Sequence, residues 1–421
     1  MSFSFGFSGD DIEDDDGDAT GSHDTLTSKI SEYTLSDSAQ PPNVSIRPQR
    51  HSLEELSLLP KDTDFNSNNH GAEGETTLYR RSVFDIRAQL MAEANPSAGQ
   101  GDTANTLLAG LESGDLSSGV YEGGFKTWEC ALDLASLVDS EPAFSGGGRD
   151  APDLDPEQQH WEVIELGAGS AVPTLALIQK FLERRKTHPT PRGSLKVTLC
   201  DYNVDVLRLA TAPNVLLNYL FASGKVPPSL DEGGWDGDLD VEELGGASFV
   251  KTTIQDMASD SISFDFISGA WGPEFLDLIR HSPSSTPPHE SGMMDQKLRP
   301  PTNLLILASE TIYSPASIKT FSETVIALLH LQRNPSSRSR RQSGTRIEGE
   351  VMTGRGSAQP LPPSTRAWVA AKRVYFGVGG GVDEFAREMD RLGARTRVVM
   401  DIKHAGVGRV VLEVTLPALA G

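Results

Sequence analysis

Short apolar runs alternate with helical patterns from residue 161 onward, and this alternation most constrains the fold. Helical patterns over 174–182 and 204–220 follow the first two apolar runs. Such an alternation is typical of an open α/β sheet with helices on both faces, which is the fold class we predict. The expected strands are Trp161–Leu166, Leu195–Cys200, Ser263–Ser268, Asn303–Ala308, Ala367–Gly377 and Arg409–Thr415.

Composition bounds the domain organisation. The 421 residues could form two domains, but 40 glycines, 26 prolines and 37% hydrophobic residues favour one sizeable core with long insertions. Residues 1–72 are acidic and rich in serine, so we expect a disordered tail in which 53–59 could form a helical turn or two. Residues 73–421 then form one domain. Its Pro-, Ser- and Gly-rich insertions are expected near 140–158, 184–194, 222–246, 281–301 and 333–365.

Charge and cysteine content narrow the partners and the compartment. A formal net charge of -22 argues against a nucleic-acid surface and favours a basic protein partner. Two cysteines, Cys130 and Cys200, provide neither a disulfide framework nor a zinc cluster, which fits a reducing compartment. The sequence has no apolar run of about 18 residues and no basic-then-apolar N-terminus. We therefore expect a monomer in the cytoplasm and nucleus, without a membrane span.

A glycine turn follows the first predicted strand. Gly167 and Gly169 lack a Cβ atom, so a ligand could approach the backbone closely there. A dinucleotide fingerprint would have glycine at 172, where this chain has Val172. The turn is consistent either with nucleotide binding or with a purely structural role.

Polar and aromatic residues follow three other strands, where an open α/β sheet places its ligand crevice. Asp201 could accept hydrogen bonds from ribose hydroxyls or serve as a helix N-cap. Trp271 could stack on an adenine or be a buried structural residue. The run 309–313 could contact a ligand or cap a helix.

Two further segments are unusual. One is 121–132, about 30 residues ahead of the glycine turn, and the other is the glycine-rich 375–382, which could shape a substrate slot or form a β-turn. No other catalytic pattern competes in the sequence. The histidines have no metal-ligand spacing, and both a nucleophile elbow and a P-loop are absent.

Together these segments resemble the S-adenosylmethionine-dependent protein-histidine methyltransferases of eukaryotes, a group that methylates a ribosomal large-subunit protein. The resemblance covers about 119–415. It implies a seven-stranded, Rossmann-like class I methyltransferase sheet whose last strand is antiparallel to the rest, and S-adenosyl-L-methionine as cofactor. The motifs that carry the resemblance are Gly119–Cys130, Glu165–Gly169, Asp201–Asn203, Ser309–Tyr313 and Tyr375–Gly381.

The resemblance also implies roles for individual residues. Glu310, Tyr313 or the 375–381 loop would orient the substrate imidazole, and Glu129 would meet the amino group or ribose of the cofactor. Ala171 departs from relatives that have a third glycine there, and three insertions are longer than a compact member needs. The expected loop residues are Tyr375, Phe376, Gly377, Gly379 and Gly380. The expected cofactor contacts are Thr127, Trp128, Glu129, Cys130, Ala131, Gly167, Gly169, Asp201, Tyr202, Asn203, Gly269, Ala270, Trp271 and Ser309.

The function expected from the sequence is methyl transfer to a histidine side chain of a basic protein, with a large-subunit ribosomal protein as the expected substrate. Two alternatives stay open. One is an enzyme of the same fold that acts on protein lysine or on a small molecule. The other is a cofactor-binding ribosome assembly factor whose catalysis is dispensable.

Overall fold

The computed structural model describes residues 47–56, 64–66, 78–81, 83–94, 103–112, 123–145, 160–187, 193–226, 238–240, 244–281, 302–333, 364–375, 379–403 and 407–417. Most of the predicted disordered tail, and most of each predicted insertion except 184–194, lie outside these residues.

The described residues form one eight-stranded mixed sheet, in the order β1-β6-β4-β3-β7-β8-β10-β9. Strands β3, β4, β6, β7 and β8 run parallel, and β10 is antiparallel between β8 and β9. The antiparallel last strand is therefore confirmed. The expected count of seven is wrong, because β1 adds an eighth strand antiparallel to β6 at the far edge. The strands are β1 Gln49–His51, β3 His160–Leu166, β4 Ser194–Asp201, β6 Ile262–Ser268, β7 Thr302–Ser309, β8 Thr365–Lys372, β9 Arg395–Ile402 and β10 Arg409–Thr415, while β2 Asp64–Asn66 and β5 Asp238–Asp240 form a separate pair.

Helices cover both faces of the sheet. Neighbouring residues of one strand point to opposite faces, so Val163 belongs to the core beneath α4 and α6, whereas Ile164 belongs to the core beneath α11 and α12. A π-helical turn, Leu207–Thr211, joins α7 to α8. The helices are α1 Leu53–Leu56, α2 Val83–Glu93, α3 Thr103–Glu112, α4 Glu129–Ser140, α5 Pro142–Ser145, α6 Val172–Thr187, α7 Val204–Val206, α8 Ala212–Ser223, α9 Gly246–Ser259, α10 Pro273–Arg280, α11 Pro315–Arg333 and α12 Val382–Arg391.

Strand order reverses at the centre of the sheet. The chain moves outward from β3 through β4 to β6, and then returns to the other side of β3 for β7 and β8. The carboxyl ends of β3 and β7 therefore flank a topological switch point, where open α/β sheets bind ligands. Within the described residues, no helix is long and apolar enough to cross a membrane.

The six strands predicted from the sequence are all present, with two differences in the sheet. The strand expected over 367–377 ends at Lys372, and Val374 beyond it forms only an isolated bridge with Gly381. Strand β9 was not predicted because it lies at an exposed edge. Its sequence has charged residues on both sides of three apolar residues, 398–400, so the apolar run is shorter than in the buried strands.

Residues 47–56 fall in the predicted tail, yet they are built into the domain, so disorder does not hold for this segment. Leu53 and Leu56 are buried in the core. Arg50 forms an ion pair with Asp265 of β6 and donates to the carbonyl of Leu278 in α10. Two leucines and one arginine thus anchor a segment whose composition is otherwise that of a disordered chain.

Candidate active site

A cleft of about 640 Å³ opens at the switch point. It lies at the carboxyl ends of β3, β4, β6 and β7, and the start of α4 closes one side. The lining residues are Gly123, Gly124, Lys126, Trp128, Ala131, Gly167, Ala168, Gly169, Ser170, Asp201, Tyr202, Trp271, Ser309, Glu310, Thr311 and Tyr313.

The turn after β3 requires glycine at two positions. Gly167 and Gly169 have φ angles of 69° and 51°, in the left-handed region. A Cβ atom on Gly167 would lie 2.9 Å from Cγ2 of Thr311, and one on Gly169 would lie 3.2 Å from the carbonyl oxygen of Gly124. Ala171 shares this left-handed geometry with a φ of 60°. Ala171 stands at the position where the family resemblance implies a third glycine.

Asp201 braces this turn. Its buried carboxylate accepts the N–H of Gly169 through Oδ2 at 3.0 Å and the N–H of Asn203 through Oδ1 at 3.1 Å. The N-cap of α7 is Asn203, not Asp201. The carboxylate also lines the cleft, so it can hold the turn and face a ligand.

The segment 123–131 closes over the turn. Gly124 lies against Gly169 and has a φ of 120°. A Cβ atom on Gly124 would lie 2.9 Å from Val206, so there is no room for a side chain. The Thr127 hydroxyl bonds Ser170 at 3.0 Å. These contacts bring Trp128 to the cleft wall. Residues 123–131 of the unusual segment thus form one side of the cleft.

A buried ion cluster holds α4 against the sheet. Glu129 lies 3.5 Å from Lys372 Nζ and 3.6 Å from an Arg409 nitrogen, and Arg409 also pairs with Asp133 at 2.7 Å. Lys372 Nζ lies 5.7 Å from the centre of the Trp128 ring, within cation–π range. Glu129 does not line the cleft, and its ion pairs instead hold α4 against the sheet.

Glu310, unlike Glu129, lines the cleft. Its φ of 53° is unusual for a non-glycine residue, and such backbone strain is often found at functional sites. Its Oε2 accepts the Tyr375 hydroxyl, and the Cys130 thiol faces the same carboxyl from α4. Burial raises the pKa of Glu310, while Cys130, Tyr375 and the Lys372 charge lower it. The result is a buried carboxyl group with several groups tuning its protonation.

The glycine loop after β8 lies behind Glu310 and Tyr313. Gly380 donates its N–H to the carbonyl of Tyr313 at 3.0 Å, where a Cβ atom would lie only 2.3 Å from that oxygen. The rings of Tyr313 and Tyr375 meet edge to face, with centroids 6.3 Å apart. Tyr375, Gly379 and Gly380 do not line the cleft. Phe376 and Gly377 lie outside the described residues.

The other expected contacts fall into two groups. Trp271 lines the cleft and packs on Phe321 at 5.1 Å between ring centres. Gly269 instead turns toward the N-terminal segment, since a Cβ atom there would lie 2.6 Å from Cα of Pro48. Residues expected to contact the cofactor that do not line the cleft are Thr127, Glu129, Cys130, Asn203, Gly269 and Ala270.

Some lining residues were not singled out from the sequence. Ser170 lies beside the expected contact Gly169, whereas Lys126 and Thr311 lie within motifs that carry the resemblance but received no individual role. Their position in or next to a motif was the available signal, but sequence alone does not show which neighbours point inward. Among the described residues, no three His, Cys, Asp or Glu side chains are grouped to hold a metal ion.

Family models and solved structures give limited information about the chain. No protein-family model matches the chain. Two solved methyltransferase structures are similar at low overall scores. They are magnesium protoporphyrin IX methyltransferase from Synechocystis with bound SAH (9% identity, 79% of this chain and 94% of that one, TM-score 0.28) and an O-methyltransferase family protein from Burkholderia thailandensis (8%, 68% and 57%, 0.28).

Curated relatives are more informative. Histidine protein methyltransferase 1 of Saccharomyces cerevisiae is 30% identical over 412 residues, which span 93% of this chain and 91% of the yeast protein. Its namesake in Schizosaccharomyces pombe is 30% identical over 80% of this chain and 76% of its own length. A homologue in Rattus norvegicus is 27% identical over 72% of this chain and 59% of its own. The chain belongs to the histidine protein methyltransferase family.

Proposed function

We propose that this protein transfers a methyl group from S-adenosyl-L-methionine to a histidine side chain of a protein, and that its substrate is a large-subunit ribosomal protein. The observation that carries the choice of histidine is the Glu310 carboxyl group. Glu310 lines the cleft, and its carboxyl is held from the protein side by the Tyr375 hydroxyl and the Cys130 thiol. A carboxyl group fixed at the cleft can accept a hydrogen bond from an imidazole N–H, which supports histidine as the methyl acceptor.

The cleft fits the cofactor. The two glycines of the turn line the cleft, and Asp201 places a carboxylate at the end of the second parallel strand, as ribose recognition requires. Trp271 gives an aromatic wall for the adenine. Gly167, Gly169, Asp201 and Trp271 would thus hold the cofactor.

Bound S-adenosyl-L-methionine supplies an electrophilic methyl carbon on a positively charged sulfur. The protein has to align a nitrogen lone pair of neutral imidazole with that carbon and exclude water. Glu310 accepts the N–H of the opposite ring nitrogen, which fixes the tautomer and leaves the reacting lone pair directed away from it. Tyr313 and Trp128 line the cleft in which the cofactor and the imidazole would meet.

The negative net charge of the chain supports a basic protein as the substrate. A chain with a net charge of -22 attracts a basic protein, and ribosomal proteins are basic because they bind RNA. We propose that the enzyme acts as a monomer, binds no nucleic acid directly, and works in the cytoplasm and nucleus, where such a substrate is synthesised and assembled.

The test uses the purified full chain, methyl-labelled cofactor and protein extracted from large ribosomal subunits. Labelled methylhistidine, absent when Glu310 is replaced by alanine, is the expected product. Label in lysine would support the alternative enzyme of the same fold, and no incorporation into protein would refute methyl transfer to this substrate. The Glu310→Ala variant must still bind the cofactor for the comparison to be valid.

A further inference from the structure

Tyr375 touches the proposed acceptor group without lining the cleft. Its hydroxyl donates to Oε2 of Glu310 and accepts the backbone N–H of Lys372 at 3.2 Å. Both hydrogen-bonding roles of the hydroxyl are thereby used. One oxygen of Glu310 is fixed by this bond, and the Cys130 thiol faces the same carboxyl from α4.

The loop that follows Tyr375 holds the tyrosine in place. Gly379 donates its N–H to the Tyr375 carbonyl at 3.3 Å, and Gly380 donates to the Tyr313 carbonyl at 3.0 Å. An antiparallel bridge between Val374 and Gly381 closes the loop. The close approach at Gly380 explains the glycine there as a packing requirement. The loop therefore joins Tyr375 to the segment that carries Glu310 and Tyr313.

We propose that Tyr375 is a positioning residue that fixes the Glu310 carboxyl at the cleft, where this carboxyl accepts the N–H of the substrate imidazole. This inference rests on the proposed function. It assigns the glycine-rich loop to orienting Glu310 from behind, instead of forming the substrate slot that its sequence suggested.

The charged and titratable groups around Glu310 make the proposal measurable. Cys130 and Glu129 face it from α4, Lys372 from β8, and Tyr375 from the loop. The Tyr375 hydrogen bond lowers the pKa of Glu310, so loss of the hydroxyl raises that pKa. Because the ionised carboxyl is the acceptor, the acid limb of the rate profile must then move to higher pH.

The experiment replaces Tyr375 with phenylalanine in the full chain, and uses protein from large ribosomal subunits as methyl acceptor. Phenylalanine keeps the ring contact with Tyr313 and removes only the hydroxyl. We expect kcat to fall about 10- to 100-fold, as for one lost hydrogen bond to a charged group. The Kd for S-adenosyl-L-methionine should stay within about twofold, and the acid limb should shift to higher pH.

Tyr219→Phe is the matched control. The Tyr219 ring is fully buried, and its hydroxyl bonds a carboxylate, Asp260, at 2.6 Å away from the cleft. It should lose stability without a change in the pH profile. If Tyr375→Phe behaves in the same way, Tyr375 is only structural and the inference is refuted.

A second variant guards against misfolding of the first. Glu310→Gln keeps the shape of the side chain but does not titrate, so only the acid limb set by the substrate imidazole should remain, and adding Tyr375→Phe should leave that limb unchanged. A shift that persists in the double variant, or a weakened cofactor Kd in place of a slower kcat, would overturn the assignment. Failure of the unmodified chain to form methylhistidine would instead refute the proposed function.

Discussion

Replacing Gly167 with alanine tests the glycine turn most directly. The φ of 69° at this position is strained for any residue with a Cβ atom, and the added carbon would lie 2.9 Å from Cγ2 of Thr311. Thr311 is buried and β-branched, so its side chain cannot rotate away cheaply. The substitution therefore carries a backbone cost and a steric cost, and the two can be separated.

The backbone cost of a left-handed alanine is about 1–2 kcal/mol. Overpacking of a tight site adds about 1–3 kcal/mol. We expect the free energy of unfolding to fall by about 2–5 kcal/mol, less than the whole stability of most domains. If the turn relaxes by moving, each 1.4 kcal/mol of misplacement weakens cofactor binding about tenfold.

Two further variants separate these terms. Gly393 has a φ of 79° and nothing within 4 Å of an added Cβ atom, so Gly393→Ala pays the backbone cost alone. Thr311→Ser deletes Cγ2, so the double variant Gly167→Ala/Thr311→Ser should recover the steric part. Urea unfolding measures stability, and calorimetry measures the Kd for S-adenosyl-L-methionine.

The reasoning about the turn would be refuted by either of two results. One is equal destabilisation in Gly167→Ala and Gly393→Ala with an unchanged cofactor Kd. The other is a double variant no more stable than Gly167→Ala, because the contact with Thr311 would then carry no cost.

Three other predictions concern the side chains of Arg50, Asp201 and Glu165. Arg50→Ala removes a half-buried ion pair and should lower the free energy of unfolding by roughly 2–4 kcal/mol, whereas Arg47→Ala, an exposed pair, should cost under about 1 kcal/mol in the same urea titration. Asp201→Asn presents an NH2 group to the N–H of Gly169 and should weaken the calorimetric cofactor Kd at least about tenfold. Burial raises the pKa of Glu165 to about 8 from an ordinary 4.5, so the folded state retains a proton that the unfolded state releases. Stability should therefore fall as pH rises between those values, and urea titrations across pH should show no such fall for Glu165→Gln.

The sequence predicted the central architecture because local patterns encode it. Buried parallel strands appear as short apolar runs, helices as 3.6-residue periodicity, and the left-handed turn as glycine. Strand β9, strand β1 and the packing of residues 47–56 against the domain escaped prediction because none has such a pattern, whereas the helical turn expected within 53–59 is present as α1. Strand β9 is an exposed edge strand, and residues 47–56, which include β1, are stabilised by Arg50 and two leucines that find their partners far away in the chain.

The roles of individual acidic residues required the tertiary structure. Glu129 and Glu310 both stand in motifs that carry the family resemblance, which implied a cofactor contact for Glu129 and an orienting role for Glu310, but the residues themselves did not show their partners. Their surroundings do, since Glu129 meets Lys372 and Arg409 behind the cleft wall, whereas Glu310 meets Tyr375 at the cleft.

The sequence by itself thus determined the sheet, the position of the glycine turn and the set of residues from which the site is made. Only the tertiary structure decided which side chains face the cleft, which brace it, and that the glycine-rich loop holds Glu310 from behind. The physical reason is range. Strand, helix and turn preferences arise from neighbouring residues, whereas the partner of a charged or polar side chain is set by segments that folding brings together from far apart, as with Tyr375 and Glu310, 65 residues apart.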